Sequence, residues 1–243
     1  SLYGATANYK KNNMVKIDAV YQTVLALANK EQRGYITPQE FNLFAEQAQM
    51  QIFEQYFYDL NQFLRIPGNN TTHSDMVDLL EEKISLFERT NASVGNGSDL
   101  PNDLYKLQQV LWKESGQGNR NQVYEVEYVD RKTYNQTRFI SLIKPTDTKL
   151  VYLRDSNGIT VIGASPKTND VTCNYIKAPE NPNWTYVVVG EKALYNPNGN
   201  GHHNFELHAS EQTELVTRIL GLAGITLKDQ SLYQISSAED SKQ

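Results

Sequence analysis

The chain has 243 residues, enough for one large domain or two small ones, and carries a formal net charge of -5 with a pI near 5.4. This charge excludes an overall basic surface for nucleic acid, and the single cysteine, Cys173, excludes a disulfide framework within the chain. No apolar run approaches the roughly 20 residues that cross a bilayer, and the polar start, SLYGATANYKKNN, lacks the apolar core of a signal peptide. We therefore expect a protein made in a reducing cytoplasm, with no membrane partner.

The first half of the chain has apolar side chains spaced three and four residues apart, which is typical of amphipathic helices. The spacing predicts helices over residues 15–30, 37–65, 74–89 and, more briefly, 103–113.

The stretch Asn29 to Glu40, NKEQRGYITPQE, matches a calcium-binding EF-hand loop at three fixed positions, with Gly34 sixth, Ile36 eighth and Glu40 twelfth. Calcium also needs oxygen ligands at positions one, three and five, and Arg33 brings a fixed positive charge to the fifth. A calcium-loop binding module therefore stands only as a remote alternative.

A corner between two helices explains the same residues. Thr37 is the expected N-cap, Pro38 fits the first helical turn, and Glu40 completes a capping box with Thr37. The stretch is thus predicted to join the two arms of an αα-hairpin.

After residue 118 the chain becomes rich in Val, Tyr, Thr and Ile, in short segments separated by turn residues. Strands are predicted in QVYEVEYV, TRFISLI, KLVYLR, GITVIG, DVTCNYIK and WTYVVV. A last helix is predicted over residues 210–223, with Ser210 as its N-cap and Gly224 just after its end.

These elements predict an α+β fold. It consists of an N-terminal helical bundle based on an αα-hairpin, a small antiparallel β-sheet or barrel, and a C-terminal helix with an extended tail. The expected boundaries are an N-terminal arm over 1–13, a helical domain over 14–117, a β-rich domain over 118–209, and the C-terminal helix and tail over 210–243.

No catalytic motif is present, and we expect neither an enzyme nor a bound cofactor or metal. His202, His203 and His208 lie near one another in sequence, and a metal site or a hydrolase using them or Cys173 remains an alternative. The spacing matches no HExxH or CxxC motif.

Aromatic residues surround more than one face of the second predicted helix, in FEQYFYDLNQF. A helix that is apolar on several sides is buried on several sides. We therefore predict that Phe53, Tyr56, Phe57 and Tyr58 contribute to a contact between subunits.

Three stretches carry a resemblance to a known family: NKEQRGYITPQEFNLFAEQAQMQIFEQYF, VTCNYIKAPENPNWTYVVV and FELHASEQTELVTRILGLAGITLKDQSLYQ. They resemble the neck proteins of short-tailed phages, including crAss-like and related marine phages, whose rings stack below the portal.

The resemblance implies a head–tail connector, also called an adaptor or ring protein. Its partners would be itself in a homo-oligomeric ring, commonly dodecameric, the portal protein, adjacent neck or tail rings, and double-stranded DNA that passes without sequence-specific binding. It would be located in the virion neck after synthesis in the bacterial host. Another tail or capsid-associated structural protein of the same virion is the nearest alternative.

Two hypotheses concern surfaces of such a ring. Net negative charge suits a channel through which DNA slides, and the acidic side chains Glu46, Glu54 and Asp59 are the channel-facing candidates. In the polar tail, the apolar side chains Leu232, Tyr233 and Ile235 are typical of a peptide that docks in a neighbour's groove.

Overall fold

A computed structural model of the chain describes residues 14–30, 36–65, 71–96, 98–114, 122–156 and 158–224, with the backbone alone at Leu64 and 71–74. The chain is a mixed α+β protein that divides into two compact units. The helical unit comprises the described parts of Ser1–Leu86 and Pro179–Gln243, and the sheet unit is Phe87–Ala178. These limits differ from the predicted boundaries at 117/118 and 209/210. The predicted arm over 1–13 lies outside the described residues.

Four α-helices are described in the helical unit: α1 Ile17–Lys30, α2 Pro38–Arg65, α3 Thr71–Ser85 and α5 Gln212–Leu222. Helix α2 packs on both α3 and α5, and α1 also packs on α5. The C-terminal helix thus belongs to the same unit as the N-terminal helices, whereas the sequence analysis placed it in an element of its own.

The start of α2 confirms the predicted capping box. The backbone N–H of Thr37 donates to Glu40 Oε2 at 2.9 Å, and the N–H of Glu40 donates to the Thr37 hydroxyl at 3.3 Å. The Thr37 hydroxyl also donates to Glu40 Oε2 at 2.8 Å. The two bonds that Oε2 accepts, from the N–H and from the hydroxyl of Thr37, hold the pKa of the Glu40 carboxyl below its usual range. Gly34 and Arg33 lie outside the described residues.

The last helix begins differently from the prediction. A 3₁₀ turn, Ala209–Glu211, precedes α5, and its N-cap is His208, whose ring Nδ1 accepts from the Ser210 N–H. The prediction of Ser210 as the cap is therefore wrong by two residues. Gly224 follows the helix with φ of +71°, as expected for a glycine that ends a helix.

The sheet unit contains a seven-stranded sheet in the order β1-β7-β2-β3-β4-β5-β6, antiparallel throughout except for the parallel pair β3 and β4. The strands are β1 Glu88–Ser93, β2 Leu104–Lys113, β3 Val123–Tyr128, β4 Leu150–Asp155, β5 Gly158–Ile162, β6 Pro166–Lys167 and β7 Val171–Lys177. The strands predicted in QVYEVEYV, KLVYLR, GITVIG and DVTCNYIK are confirmed, with ends that differ by at most one residue from the prediction.

The helix predicted over 103–113 is wrong, because β2 occupies this stretch and pairs with β7 and β3. Its register against β7 shifts between Leu104 and Lys106 and again between Leu107 and Gln109. Each bulge inserts one extra residue, so Leu104, Leu107 and Val110 all pack in the sheet core although they lie three positions apart. Two bulges therefore give a strand the apolar spacing of a helix.

Two further predictions change in this unit. Residues 88 and 89, placed in the third helix, begin edge strand β1 after α3 ends at Ser85. The strand predicted for TRFISLI is wrong, because α4, Arg131–Thr137, is followed by turns rather than a strand. The Asp130 carboxylate caps α4 by accepting the N–H groups of Lys132 and Thr133.

A two-stranded hairpin, β8 Tyr186–Val189 and β9 Lys192–Tyr195, belongs to the helical unit. Its turn residues Gly190 and Glu191 have φ of +55° and +66°, as a two-residue type I′ turn requires. Glu191 has a Cβ atom, so its positive φ is an uncommon backbone conformation for this type of residue.

Candidate interaction surfaces

The described residues contain no group of three or more histidine, cysteine, aspartate or glutamate side chains that could hold a metal ion. Cys173 is fully buried in β7, and burial raises the pKa of its thiol. A raised pKa disfavours the thiolate that a nucleophile requires. The geometry therefore gives no support to the hydrolase alternative.

The histidines of the predicted loop make local polar contacts. His203 Nε2 lies 2.7 Å from Glu180 Oε2, and His202 Nε2 lies 3.2 Å from the Tyr195 hydroxyl. Their other partners are backbone groups, such as the pair between Asn183 and His203. These contacts order the chain beside β9 and do not converge on one point.

A groove of about 390 Å³ lies at the base of the β8–β9 hairpin. Beneath it Trp184 is buried, with its indole N–H donating to Asp18 Oδ1 at 2.9 Å and its ring 4.2 Å from that of Tyr21. The Asn42 side-chain amide donates to Asn183 Oδ1, and its oxygen accepts the backbone N–H of Trp184. These hydrogen bonds attach the base of the hairpin to α1 and α2. Because the polar groups are already paired within the protein, the groove is best explained as part of this attachment.

A second depression, of about 440 Å³, lies on the sheet across β2, β3 and β4. Gln109 crosses it, donating to Glu125 and accepting from Asn174, each at 3.0 Å. Arg154 covers the Tyr128 ring at 5.4 Å. The polar side chains of Gln109, Glu125 and Asn174 are therefore also paired with one another within the sheet unit.

The four predicted interface rings occupy different environments. Phe53 is 0 % exposed and Tyr56 is buried, so both are core residues of the helical unit, which corrects the prediction for them. The physical reason is that α2 packs on α3 and α5 of the same chain, which buries two of its faces without a second subunit. Phe57 is half-buried with its ring 5.1 Å from that of Phe53, whereas Tyr58 is 62 % exposed.

The tail residues Leu232, Tyr233 and Ile235 lie outside the described residues. Of the predicted contact residues, Tyr58 and Phe57 are therefore the ones that the described surface offers.

The channel-facing candidates do not share one face of α2. Glu46 and Glu54 are exposed and lie about 80° apart around the helix axis, whereas Asp59 is turned about 140° from Glu54. Glu46 accepts from the Asn181 amide at 2.8 Å. Asp59 is half-buried, and burial raises the pKa of its carboxyl. Glu46 and Glu54 can therefore line one surface, without Asp59.

One ion pair joins α3 to the 3₁₀ turn before α5, and a second lies within α5. Lys83 Nζ lies 2.6 Å from Glu211 Oε1 in a largely buried ion pair, and Arg218 lies 2.5 Å from Glu214 Oε1. Burial raises the pKa of Glu214, with Arg218 acting against the shift. These four charged side chains are thus already paired with one another within the helical unit.

The sheet unit carries a large exposed apolar surface that the sequence did not reveal. It follows α4 and consists of Phe139, Ile140, Leu142 and Ile143, and we call it the loop patch. Leu142 is 93 % exposed and Phe139 is 76 % exposed. The apolar pattern of TRFISLI was the available signal in the sequence, but it was interpreted as a strand.

The helical unit also carries an exposed apolar surface, which lies on the β8–β9 hairpin. Val187, Val189 and Leu194 are exposed on one face of the hairpin, and we call them the hairpin patch. Val188, 66 % exposed, lies on the opposite face. Exposed apolar side chains grouped on one face are typical of an interaction site.

Within the described ranges, no helix combines the length and apolar character needed to span a membrane. No protein-family model and no curated protein matches the chain. The residues themselves, their contacts and their exposure therefore carry the functional argument.

Proposed function

We propose that the chain is a structural subunit of a head–tail connector ring in the virion of a short-tailed phage. The ring would dock below the portal, link the capsid to the tail and form part of the DNA channel. The proposal rests on the resemblance of residues 29–57, 171–189 and 205–234 to neck proteins of that class. The nearest alternative is another tail or capsid-associated structural protein of the same virion.

The observation that carries the proposal is the exposed apolar surface on each of the two units. Both the loop patch and the hairpin patch leave several large apolar side chains in water. A closed ring of identical subunits needs two different surfaces per subunit, because each subunit meets its two neighbours head to tail. A chain with two separate apolar surfaces supplies that requirement.

In this proposal the helical unit acts as a bundle in the ring wall. Helices α1, α2 and α5 form its packed interior, so their order does not depend on neighbours. The contacts with neighbours then come from surface features such as Tyr58 and the hairpin patch.

Double-stranded DNA would pass through the ring without sequence-specific binding. Glu46 and Glu54, which can line one surface, are the side chains proposed to repel its phosphates. Exchanging both for glutamine should slow DNA ejection, and ejection at the normal rate would contradict this role.

The tail beyond Lys228 is proposed to dock on a neighbouring protein through Leu232, Tyr233 and Ile235. Truncation after Lys228 should block assembly onto the portal while leaving the described units folded. Intact tailed particles containing the truncated chain would reject this role.

Deleting the gene for this chain from the phage that encodes it tests the proposed function. We expect DNA-filled heads and separate tails in electron micrographs, since a missing connector leaves nothing to join them. Normal tailed, infectious particles would contradict the proposal.

A further inference from the structure

One exposed face of α3 combines acidic and apolar side chains. Asp75, Leu79 and Glu82 follow one another at helical spacing, and Asp78 and Met76 flank them. All five are exposed, with Leu79 and Met76 counting among the exposed large apolar residues. We call these five residues the acid face.

The loop patch has the opposite charge around a similar apolar centre. Arg131, Lys132, Arg138 and Lys144 are all exposed, and the segment 131–144 contains no acidic residue. The Arg138 guanidinium lies 4.3 Å from the centre of the Phe139 ring, so a positive charge sits directly on the apolar surface. An acidic surface with an apolar centre is the partner that this chemistry fits.

We propose that the loop patch of one molecule docks on the acid face of a second copy of this chain. Apolar side chains from both surfaces would fill the centre of the contact, and the opposite charges would ring it. Because the two surfaces differ, the contact can form head to tail and repeat from copy to copy. The inference deepens the proposed function and rests on it only for the expectation that the repeat closes into a ring.

Charge complementarity selects the second copy as the occupant. The four cations of the loop segment meet their complement in Asp75, Asp78 and Glu82 of the same sequence. None of these seven side chains forms an ion pair with another residue that the structure describes. An anionic lipid surface would also attract the loop patch, but it would leave the acid face without a role.

Two charge-reversed variants test the contact directly. The acid-face variant carries Asp75→Lys, Asp78→Lys and Glu82→Lys, and the loop variant carries Arg131→Glu, Arg138→Glu and Lys144→Glu. Every changed side chain is exposed, so both variants should fold, which circular dichroism and thermal melting verify.

Sedimentation velocity then measures self-association of each variant alone and of the two mixed. We expect the wild type to associate, and each variant alone to associate more than about a hundredfold more weakly, because like charges face each other. The mixture should associate again, since the acid face of the loop variant accepts the loop patch of the acid-face variant, and the reverse contact also pairs opposite charges. Association of the wild type should weaken with added salt.

A matched control reverses three exposed acids elsewhere: Asp99→Lys, Glu125→Lys and Glu127→Lys. It changes the net charge as much as the acid-face variant does, but all three positions lie in the sheet unit, outside both α3 and the segment 131–144. The control should associate like the wild type, and loss of association in it would assign the effect to net charge and overturn the proposal.

Other results would also overturn the proposal. These are a monomeric wild type, variants that associate like the wild type, and a mixture that stays dissociated. A wild type that stays monomeric but binds phosphatidylglycerol vesicles through the loop patch would assign that patch to an anionic membrane instead.

Cross-linking locates the contact. Cys173 is the only cysteine and is buried, so a single exposed cysteine introduced elsewhere would be the one that reacts. Leu79→Cys and Leu142→Cys proteins, mixed and treated with a short bismaleimide, should give a cross-linked pair in higher yield than either protein alone. Equal yields in all three samples would reject the pairing. Virions that contain the chain in a portal-like ratio, together with a failed charge exchange, would overturn this contact and leave the connector function standing.

Discussion

Gln49 should hold the two separate stretches of the helical unit together. It is the buried polar side chain of α2, 2 % exposed, and its amide donates to the Glu180 carbonyl at 2.8 Å while its oxygen accepts the Glu206 N–H at 2.9 Å. We predict that Gln49→Met, which keeps the volume but removes both bonds, lowers the free energy of unfolding of this unit. Each bond contributes about 1 kcal/mol, and each stranded backbone group adds a desolvation cost, giving about 2–4 kcal/mol in total. For a protein of this size, that lowers the melting temperature by roughly 5–15 °C.

The two tryptophans make the assay specific, because Trp184 lies in the helical unit and Trp112 in the sheet unit. Denaturant unfolding followed by fluorescence in a Trp112→Phe background should show the Gln49→Met shift. The same variant in a Trp184→Phe background should leave the Trp112 transition unchanged. Gln47→Met, an exposed change on the same helix, is the matched control. A Gln49→Met protein as stable as this control would refute the reasoning.

Three further predictions concern the sheet unit and α5. Burial and the hydrogen bond to Asp103 raise the pKa of Tyr175 from 10.0 to about 12, so the folded protein holds this proton more tightly than the unfolded chain does. The stabilisation that this proton provides is therefore complete below pH 10 and is lost as the pH rises toward 12. The unfolding free energy of Tyr175→Phe should fall less steeply over that window than that of the wild type. Equal slopes for the two proteins would contradict this prediction. Gly158→Ala should destabilise the sheet unit by more than about 1 kcal/mol, since φ is +129° and a Cβ would lie 2.0 Å from the Ser98 carbonyl oxygen. Gly221→Ala, with open space around it in α5, should stabilise the helical unit by up to about 1 kcal/mol, and denaturant titration of both glycine variants checks the opposite signs.

Local interactions made part of the fold predictable from the sequence. The capping box of Thr37 and Glu40 involves residues three apart, so its chemistry is complete within one turn. The long run of α2 and the strands near 150–162 follow from apolar periodicity alone.

The errors arose where distant pairing decided the structure. Strand β2 carries the spacing of a helix because two bulges, set by its pairing with β7, turn Leu104, Leu107 and Val110 to the same side. Periodicity within the segment cannot reveal a bulge that depends on a strand more than sixty positions away.

The candidate surfaces were missed for a related reason. Apolar side chains predict burial, and the sequence did not distinguish Phe53, which is in the core, from Leu142, which is almost fully exposed. In sequence alone, the acidic residues of α3 fit an ordinary solvated helix face. Their proposed role depends on the exposed Leu79 and on the oppositely charged loop patch, which only the structure reveals.

The most direct test of the proposed connector function is quantitative mass spectrometry of purified particles of the phage that encodes the chain. The measurement is the number of copies of this chain per copy of the portal protein. The proposal predicts that the chain is present at a ratio near one or a small simple multiple of it. A ratio of hundreds would place it in a shell or long tube, and its absence from particles would contradict the connector function.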